Sequence, residues 1–201
     1  NDFYVSKSNY FAFNIINSWP KWEKNFLNIC GDKYSGKSHL INIFLKKFKG
    51  IIIEANSFKN DHLKEIKSFE NIILENFTEN TDERLIYSLF NIIDQDNKYL
   101  IINSLIPIEK INFKLIDLRS RTKNCLVAQI EKPDDELMFA LILKNLSDRQ
   151  IVIDKKLIDY IIKRIDRSYG KIFEFIYKID EISLKKKKSI DFKIIKEVLE
   201  D

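Results

Sequence analysis

Two of the chain's four glycines fall within one octapeptide, Gly31-Asp32-Lys33-Tyr34-Ser35-Gly36-Lys37-Ser38. The spacing G-x-x-x-x-G-K-[ST] constrains the fold more than any other feature of the 201 residues. It works only as a turn between a strand and a helix, where successive backbone N–H groups converge and the helix presents its positive end. The flanks meet that demand. Residues 26–30 are an apolar run, and Leu40, Ile41, Phe44, Leu45 and Phe48 recur at helical spacing after Lys37. The pattern predicts phosphate binding, with Lys37 reaching the β- and γ-phosphates and the Ser38 hydroxyl on Mg²⁺. The expected ligand is a nucleotide with at least two phosphates, and the stretch from Gly31 through Asp32, Lys33, Tyr34, Ser35, Gly36, Lys37, Ser38 and His39 is the set expected around it.

Further apolar runs at residues 50–55, 71–75, 99–102 and 125–128 read as strands. A helical period separates the third from the fourth, with Leu85, Ile86, Leu89, Phe90 and Ile93 on one face. This alternation predicts an α/β fold, a five-stranded parallel sheet covered by helices on both faces. After Glu131-Lys132-Pro133 the pattern is wholly helical, over 134–147, 154–166, 169–184 and 191–199, with Asp134 and Asp154 as N-caps. Two domains follow, a nucleotide-binding core over 1–132 and a small helical domain over 133–201.

Hydrophobic residues at 45% and charged residues at 32% suit a globular chain with a real core. Its longest apolar run, residues 137–143, is far short of the ~18 residues of a membrane span, so a cytoplasmic location is expected. The chain starts at Asn1 rather than Met, consistent with a removed leader or tail. Cys30 and Cys125 read as buried reduced thiols. The net charge of +4 does not by itself imply nucleic acid.

A metal site of this kind needs a carboxylate at a neighbouring strand tip, and Glu75 fits. Asn76 follows where a water-activating acid would stand, and an amide cannot take up a proton. The same pair also reads as an ordinary polar strand end. Asn103 and Ser104 emerge at the end of the fourth strand, placing Asn103 to orient water or the γ-phosphate. Trp19 and Trp22 flank Pro20 and read as closing the N-terminal helix over the core. His62 has no partner near it in sequence, and His39 reads as packed or exposed rather than catalytic. Lys185 to Lys188 is either a solvated helix end or a nucleic-acid or clamp contact.

The loop segment Asp117-Leu118-Arg119-Ser120-Arg121-Thr122 resembles the D-L-x-S-R box of the DnaA family of AAA+ ATPases. Phe3, Tyr4, Val5, Ser8 and Asn9 resemble that family's adenine-side box. Asp134, Asp135 and Leu137, with Asp148, Arg149 and Gln150, resemble the start of its lid domain, and Asp166 to Tyr169 precedes its sensor-2 helix. The resemblance implies an AAA+ core with a helical lid, closest to the Hda type of DnaA-related regulators.

By that resemblance Tyr4, Val5, Asn9, Gly170 and Lys171 border an ATP or ADP molecule with Mg²⁺, and Arg121 is an arginine finger acting on a neighbour's nucleotide, with Arg119 as its rival. Gly170 stands where the family carries a sensor-2 Arg. With Asn76, this predicts weak or absent hydrolysis by the chain itself. The implied function is stimulation of ATP hydrolysis by the initiator DnaA in trans, with the DNA sliding clamp as a further partner and self-association into a dimer or larger oligomer. Only about fifteen residues separate the second and third strands, leaving room for one short helix. The helix pair with which initiators of that family engage single-stranded DNA does not fit there, and direct sequence-specific DNA binding is not expected. The alternatives are a nucleotide-dependent adaptor, a self-hydrolysing ATPase or loader, and, more distantly, a nucleoside or nucleotide kinase.

Overall fold

The computed structural model describes residues 3–186 and 190–200. Lys187 and Lys188 of the basic run lie outside these residues. The chain divides into two compact units, one built on Asn9–Glu131 and the other joining Tyr4–Ser8 to Lys132–Asp201.

In the first unit the expected strands form β1 (Phe26–Gly31), β2 (Gly50–Glu54), β3 (Asn71–Phe77), β4 (Tyr99–Ser104) and β5 (Leu126–Ile130). They pair in the order β2-β3-β4-β1-β5, every pair parallel. Central β1 is buried along its whole length, with Leu27 registered between Ile101 of β4 and Leu126 of β5, whereas edge strand β2 leaves Ile52 exposed. A strand covered on both faces favours an apolar run, and Asn28 is the one polar side chain within β1.

The connecting helices are α1 (Tyr10–Asn17), α2 (Lys37–Lys47), α3 (Asn60–Glu65), α4 (Glu83–Gln95) and α5 (Ile116–Thr122). The β2–β3 connection holds one short helix, α3, between two single 3₁₀ turns, as its length predicted. One core forms where Ile86, Leu89, Phe90 and Ile93 of α4 pack on Phe26, Ile72, Leu74, Leu100 and Ile102, with the Phe26 and Phe90 rings stacked 4.6 Å apart. Trp19 and Trp22 pack on Phe44 of α2 and on Tyr99, and Trp22 Nε1 donates to Ile15 O at 2.6 Å, so both close the end of α1 over the core. Cys30 and Cys125 are buried free thiols, pushed up by burial to about 11 and about 12.

Two sequence expectations are corrected. The Asp117–Thr122 segment is helical, not a loop; only Leu118 and Thr122 of α5 are buried, too few inward positions to show a period. His62 has partners close in sequence: its Nδ1 accepts the Lys59 N–H at 3.2 Å and its ring stacks on Phe58, capping α3.

The second unit contains α6 (Asp135–Asp148), α7 (Lys155–Ile162), α8 (Tyr169–Lys186) and α9 (Phe192–Glu200). Met138, Ile142, Leu146, Ile158, Ile161, Ile172, Ile176, Ile179 and Ile195 meet in its core. Asp134 and Asp154 cap α6 and α7, accepting from Leu137 N and Lys156 N. No described helix is long and apolar enough to cross a membrane.

Candidate functional site

β1 delivers the chain to Gly31, where φ is +153° and an added Cβ would lie 2.8 Å from the Ile130 carbonyl oxygen of β5. Only glycine lets the loop leave the sheet this close to the neighbouring strand. The loop then turns through two left-handed residues, Tyr34 (φ 68°) and Gly36 (φ 93°). Gly36 is the N-cap of α2 and no side chain caps that helix, so its first N–H groups are left to serve a ligand. Phe3 packs beside Gly36, stacks on Phe13 at 5.8 Å and meets the His39 ring edge-on at 5.5 Å. His39 is thus exposed and ring-packed.

Lys37 is buried, its Nζ donating to Gly31 O and Asp32 O at 2.8 Å each. Burial lowers its pKa, while the charges of Asp32 and Glu75 act against that loss. Beside it, Ser38 Oγ donates to Glu75 Oε2 at 3.1 Å, and Asn103 Nδ2 donates to the same Oε2 and to Ser38 Oγ. Burial pushes the Glu75 carboxyl up from its ordinary range, and the Ser38 and Asn103 hydrogen bonds oppose the shift. The structure therefore joins Ser38, Glu75 and Asn103, which come from three separate elements, around one carboxylate oxygen.

Two buried atoms, Ser35 Oγ in the loop and Asn103 Oδ1 at the end of β4, have no hydrogen-bond partner. Buried polar groups are rarely left so. A polyphosphate with its Mg²⁺ fits what is present. Lys37, Ser35 and the α2 N–H groups supply donors for phosphate oxygens, and Ser38 and Glu75 supply hard oxygen ligands for the cation. Such a cation would neutralise charge on the phosphates.

Asn76 departs from its neighbours. It has a left-handed φ of 55° and lies in a register irregularity of β3 between Leu74 and Phe77. Its Nδ2 donates to Glu54 at the tip of β2, 3.0 Å from Oε2 and 3.3 Å from Oε1. Glu54 escaped the sequence reading because only the β2–β3 register, which pairs Glu54 with Glu75, brings it here.

The two arginines of α5 are separated by their partners. Arg119 folds onto its own loop, donating from Nη2 to Phe113 O at 2.5 Å and Asn112 Oδ1 at 3.1 Å. Arg121 instead reaches Asp94 of α4 and lies over the Tyr87 ring. It shares a surface cavity with Lys24, Asn25, Phe26 and Asn124, all at the strands' N-terminal edge. The helix is placed by Glu83, whose carboxylate accepts the Lys114 and Leu115 N–H groups.

In the second unit, Tyr4 is half exposed and lines a cavity with Phe139, Lys155, Asp159 and Ile162 of α6 and α7, and Val5 is partly buried. Asp134 accepts from Ser8 N and Ser8 Oγ as well as from Leu137 N, so this short N-terminal segment is tied to the start of α6. Gly170 lies in the first turn of α8 and Lys171 pairs with Glu174 at 2.9 Å. Asn9 belongs to the first unit, buried as the N-cap residue of α1.

No protein-family model matches the chain. It is 25% identical over 205 residues to the chromosomal replication initiator protein DnaA of Caldanaerobacter subterraneus subsp. tengcongensis, covering 90% of this chain and 46% of that protein. DnaA of Thermoanaerobacter pseudethanolicus matches with the same identity and coverage. The chain thus spans about half the length of the curated relatives it matches. Domain III of the Thermotoga maritima initiator DnaA superposes with a TM-score of 0.80 at 20% identity, covering 100% of this chain and 94% of that one. DnaA from Aquifex aeolicus, solved with AMPPCP, gives 0.72 at 19% identity over 90% of this chain and 64% of that one. The Thermotoga maritima RuvB branch migration motor gives 0.68 at 13% identity over 88% and 61%. The five-stranded parallel sheet of order β2-β3-β4-β1-β5 flanked by helices is the AAA+ fold these proteins share, and in sequence the chain is similar to the initiator DnaA over 90% of its length.

Proposed function

We propose that the chain is an adenine-nucleotide-binding regulatory subunit that stimulates ATP hydrolysis by the initiator DnaA, presenting Arg121 to the initiator's nucleotide. ATP or ADP with Mg²⁺ occupies the Gly31–His39 loop of a core domain over 1–132, backed by Ser38, Glu75 and Asn103. By the resemblance to DnaA, residues 133–201 are a lid domain, Tyr4, Val5 and Asn9 are adenine-side residues, and Gly170 and Lys171 stand at the sensor-2 position. An AMPPCP-bound DnaA among the solved relatives supports a nucleotide ligand.

One observation carries the outward role. Arg121 and Phe26, at the start of β1, line one cavity, whereas the phosphate loop leaves the other end of that strand at Gly31. Six strand residues separate the two ends, about 17 Å at ~3.3 Å per residue. An arginine side chain cannot bridge that gap to its own loop. Its fixed, delocalised charge is suited to a phosphoryl-transfer transition state on another subunit.

The test is hydrolysis of initiator-bound ATP in the presence of wild type, Arg121→Ala and Arg121→Lys. Wild type accelerates hydrolysis at least tenfold and both variants lose the effect. Equal acceleration by wild type and Arg121→Ala, or none by wild type, overturns the reading.

A further inference from the structure

The absence of an acid at position 76 has a counterpart one strand away. The water-activating position at the tip of β3 carries an amide, and the tip of adjacent β2 carries a carboxylate directly against that amide. Asn76 Nδ2 reaches both Glu54 oxygens, at 3.0 and 3.3 Å. Backbone register already sets Glu54 opposite Glu75, and the Glu54 charge is one of those acting on the Glu75 carboxyl. Glu54 therefore stands one strand away from Glu75 at the strand tips, and it is exposed like Ser38, while Glu75 and Asn103 are buried.

Asn76 does not arrive at this contact by default. A regular strand would point it opposite to Glu75 with an extended backbone. Its left-handed φ of 55° and the break in β3 pairing between Leu74 and Phe77 re-aim the side chain toward Glu54. Asparagine tolerates this conformation better than most residues, but it still carries a cost, and such outliers gather at functional positions. A second observation points to a ligand beside Glu75: Asn103 Oδ1, on a residue only 1% exposed, has no protein partner.

We propose that Glu54 is a relocated general base for nucleoside triphosphate hydrolysis, with Asn76 as the positioning residue that holds its carboxylate. The roles of the two strand tips are exchanged: β2 supplies the carboxylate, and β3 supplies the amide that orients it. Glu54 takes a proton from a water molecule as the water oxygen bonds to the γ-phosphorus. The bond from that phosphorus to the β,γ-bridging oxygen breaks, the diphosphate leaves with the bonding electrons, and the proton passes to inorganic phosphate or solvent. A general base of this kind contributes typically ~10²–10⁴-fold. The chain is then a hydrolase of its own triphosphate as well as a presenter of Arg121. The inference rests on nucleotide binding at the Gly31–His39 loop but not on the role of Arg121.

Two readouts test it on the whole chain. The dissociation constant for AMPPCP with Mg²⁺ reports binding, and single-turnover conversion of bound ATP to ADP reports hydrolysis. Wild type binds AMPPCP and converts ATP. Glu54→Gln binds AMPPCP within about threefold of wild type, converts ATP at least tenfold more slowly, and copurifies with more triphosphate than wild type does. Asn76→Ala slows conversion less than Glu54→Gln. The exchange variant Glu54→Asn with Asn76→Glu, which returns the carboxylate to β3, recovers conversion relative to Glu54→Asn alone. Equal conversion by wild type and Glu54→Gln overturns the inference, as does a wild type that binds AMPPCP but leaves ATP intact, or an exchange variant no faster than Glu54→Asn. Failure of wild type to bind AMPPCP overturns instead the nucleotide-site reading beneath it.

Discussion

Arg121 donates from Nη1 to Oδ2 of Asp94, a residue 27 positions earlier on α4, and its guanidinium lies 5.4 Å from the centre of the Tyr87 ring. The side chain proposed to act on a neighbouring subunit is therefore held on its own. Both partners are partly exposed, 33% and 49%, so solvent screens the pair and its net worth is about 0.5–1 kcal/mol. Asp94→Asn should leave the melting temperature within about 2 °C of wild type and raise stimulation of initiator hydrolysis roughly two- to fivefold, since that is the population shift such an energy supports. Unchanged or reduced stimulation would show that the pair does not compete with presentation of Arg121.

Much of this architecture can be read from the residues. β1 and β3 announce themselves because a strand buried on both faces is mostly apolar, as in Leu27, Ile29 and Cys30 of β1 and Ile72, Ile73 and Leu74 of β3, and α4 because its buried residues Ile86, Leu89, Phe90 and Ile93 recur at helical spacing. The phosphate loop is legible for a different reason: its glycines answer local backbone demands, a close approach to Ile130 and a left-handed turn at Gly36. What stays hidden is whatever depends on partners far along the chain. Glu54 is an exposed strand end until the register sets it beside Asn76, and Asp94 is one polar residue of α4 until α5 brings Arg121 to it. Short α5 stays hidden as well, because two buried positions cannot define a period.

The glycines of the chain make opposite predictions. An added Cβ at Gly31 meets a backbone oxygen at 2.8 Å with φ at +153°, and neither can relax without moving β5. Gly31→Ala should therefore destabilise the fold by about 3 kcal/mol. At Gly170, in the first turn of α8, the nearest atom to an added Cβ is Ser168 Oγ at an ordinary 3.6 Å. Gly170→Ala should stabilise the chain by about 0.5–1 kcal/mol through reduced freedom of the unfolded backbone. Urea denaturation of both variants checks the signs; a stabilised Gly31→Ala or a destabilised Gly170→Ala contradicts the geometry.

A buried amide ties the middle of the sheet to the loop after it. Asn28, in the centre of β1, donates from Nδ2 to Ile102 O at 3.0 Å and Ser104 Oγ at 2.8 Å, and its Oδ1 accepts the Ile108 N–H at 2.8 Å. Asn28→Ala leaves the Ile108 N–H buried without that acceptor, beside a cavity of side-chain size. The cost should be about 2–3 kcal/mol in denaturant unfolding. A loss below 0.5 kcal/mol would mean that the loop carries its own hydrogen bonding.

Asp134 gives the second unit a signature in pH. Burial raises the pKa of its carboxyl, but hydrogen bonds from Leu137 N–H, Ser6 and Ser8 outweigh burial and hold it below the ordinary value. A carboxylate with a depressed folded pKa stabilises the fold fully above its unfolded pKa, near 3.9, and loses that contribution as pH falls through the folded value. The Asp134→Ala variant lacks both the cap of α6 and the tie to Ser8, and should be less stable than wild type by about 1–2 kcal/mol at pH 7. Because the deficit belongs to the ionised form, it should hold from pH 7 down to about pH 5 and then shrink below about pH 4. Unfolding curves at pH 7, 5, 4 and 3 measure it. A deficit that stays constant across the series would assign the stabilisation to packing at the α6 terminus rather than to the charged cap.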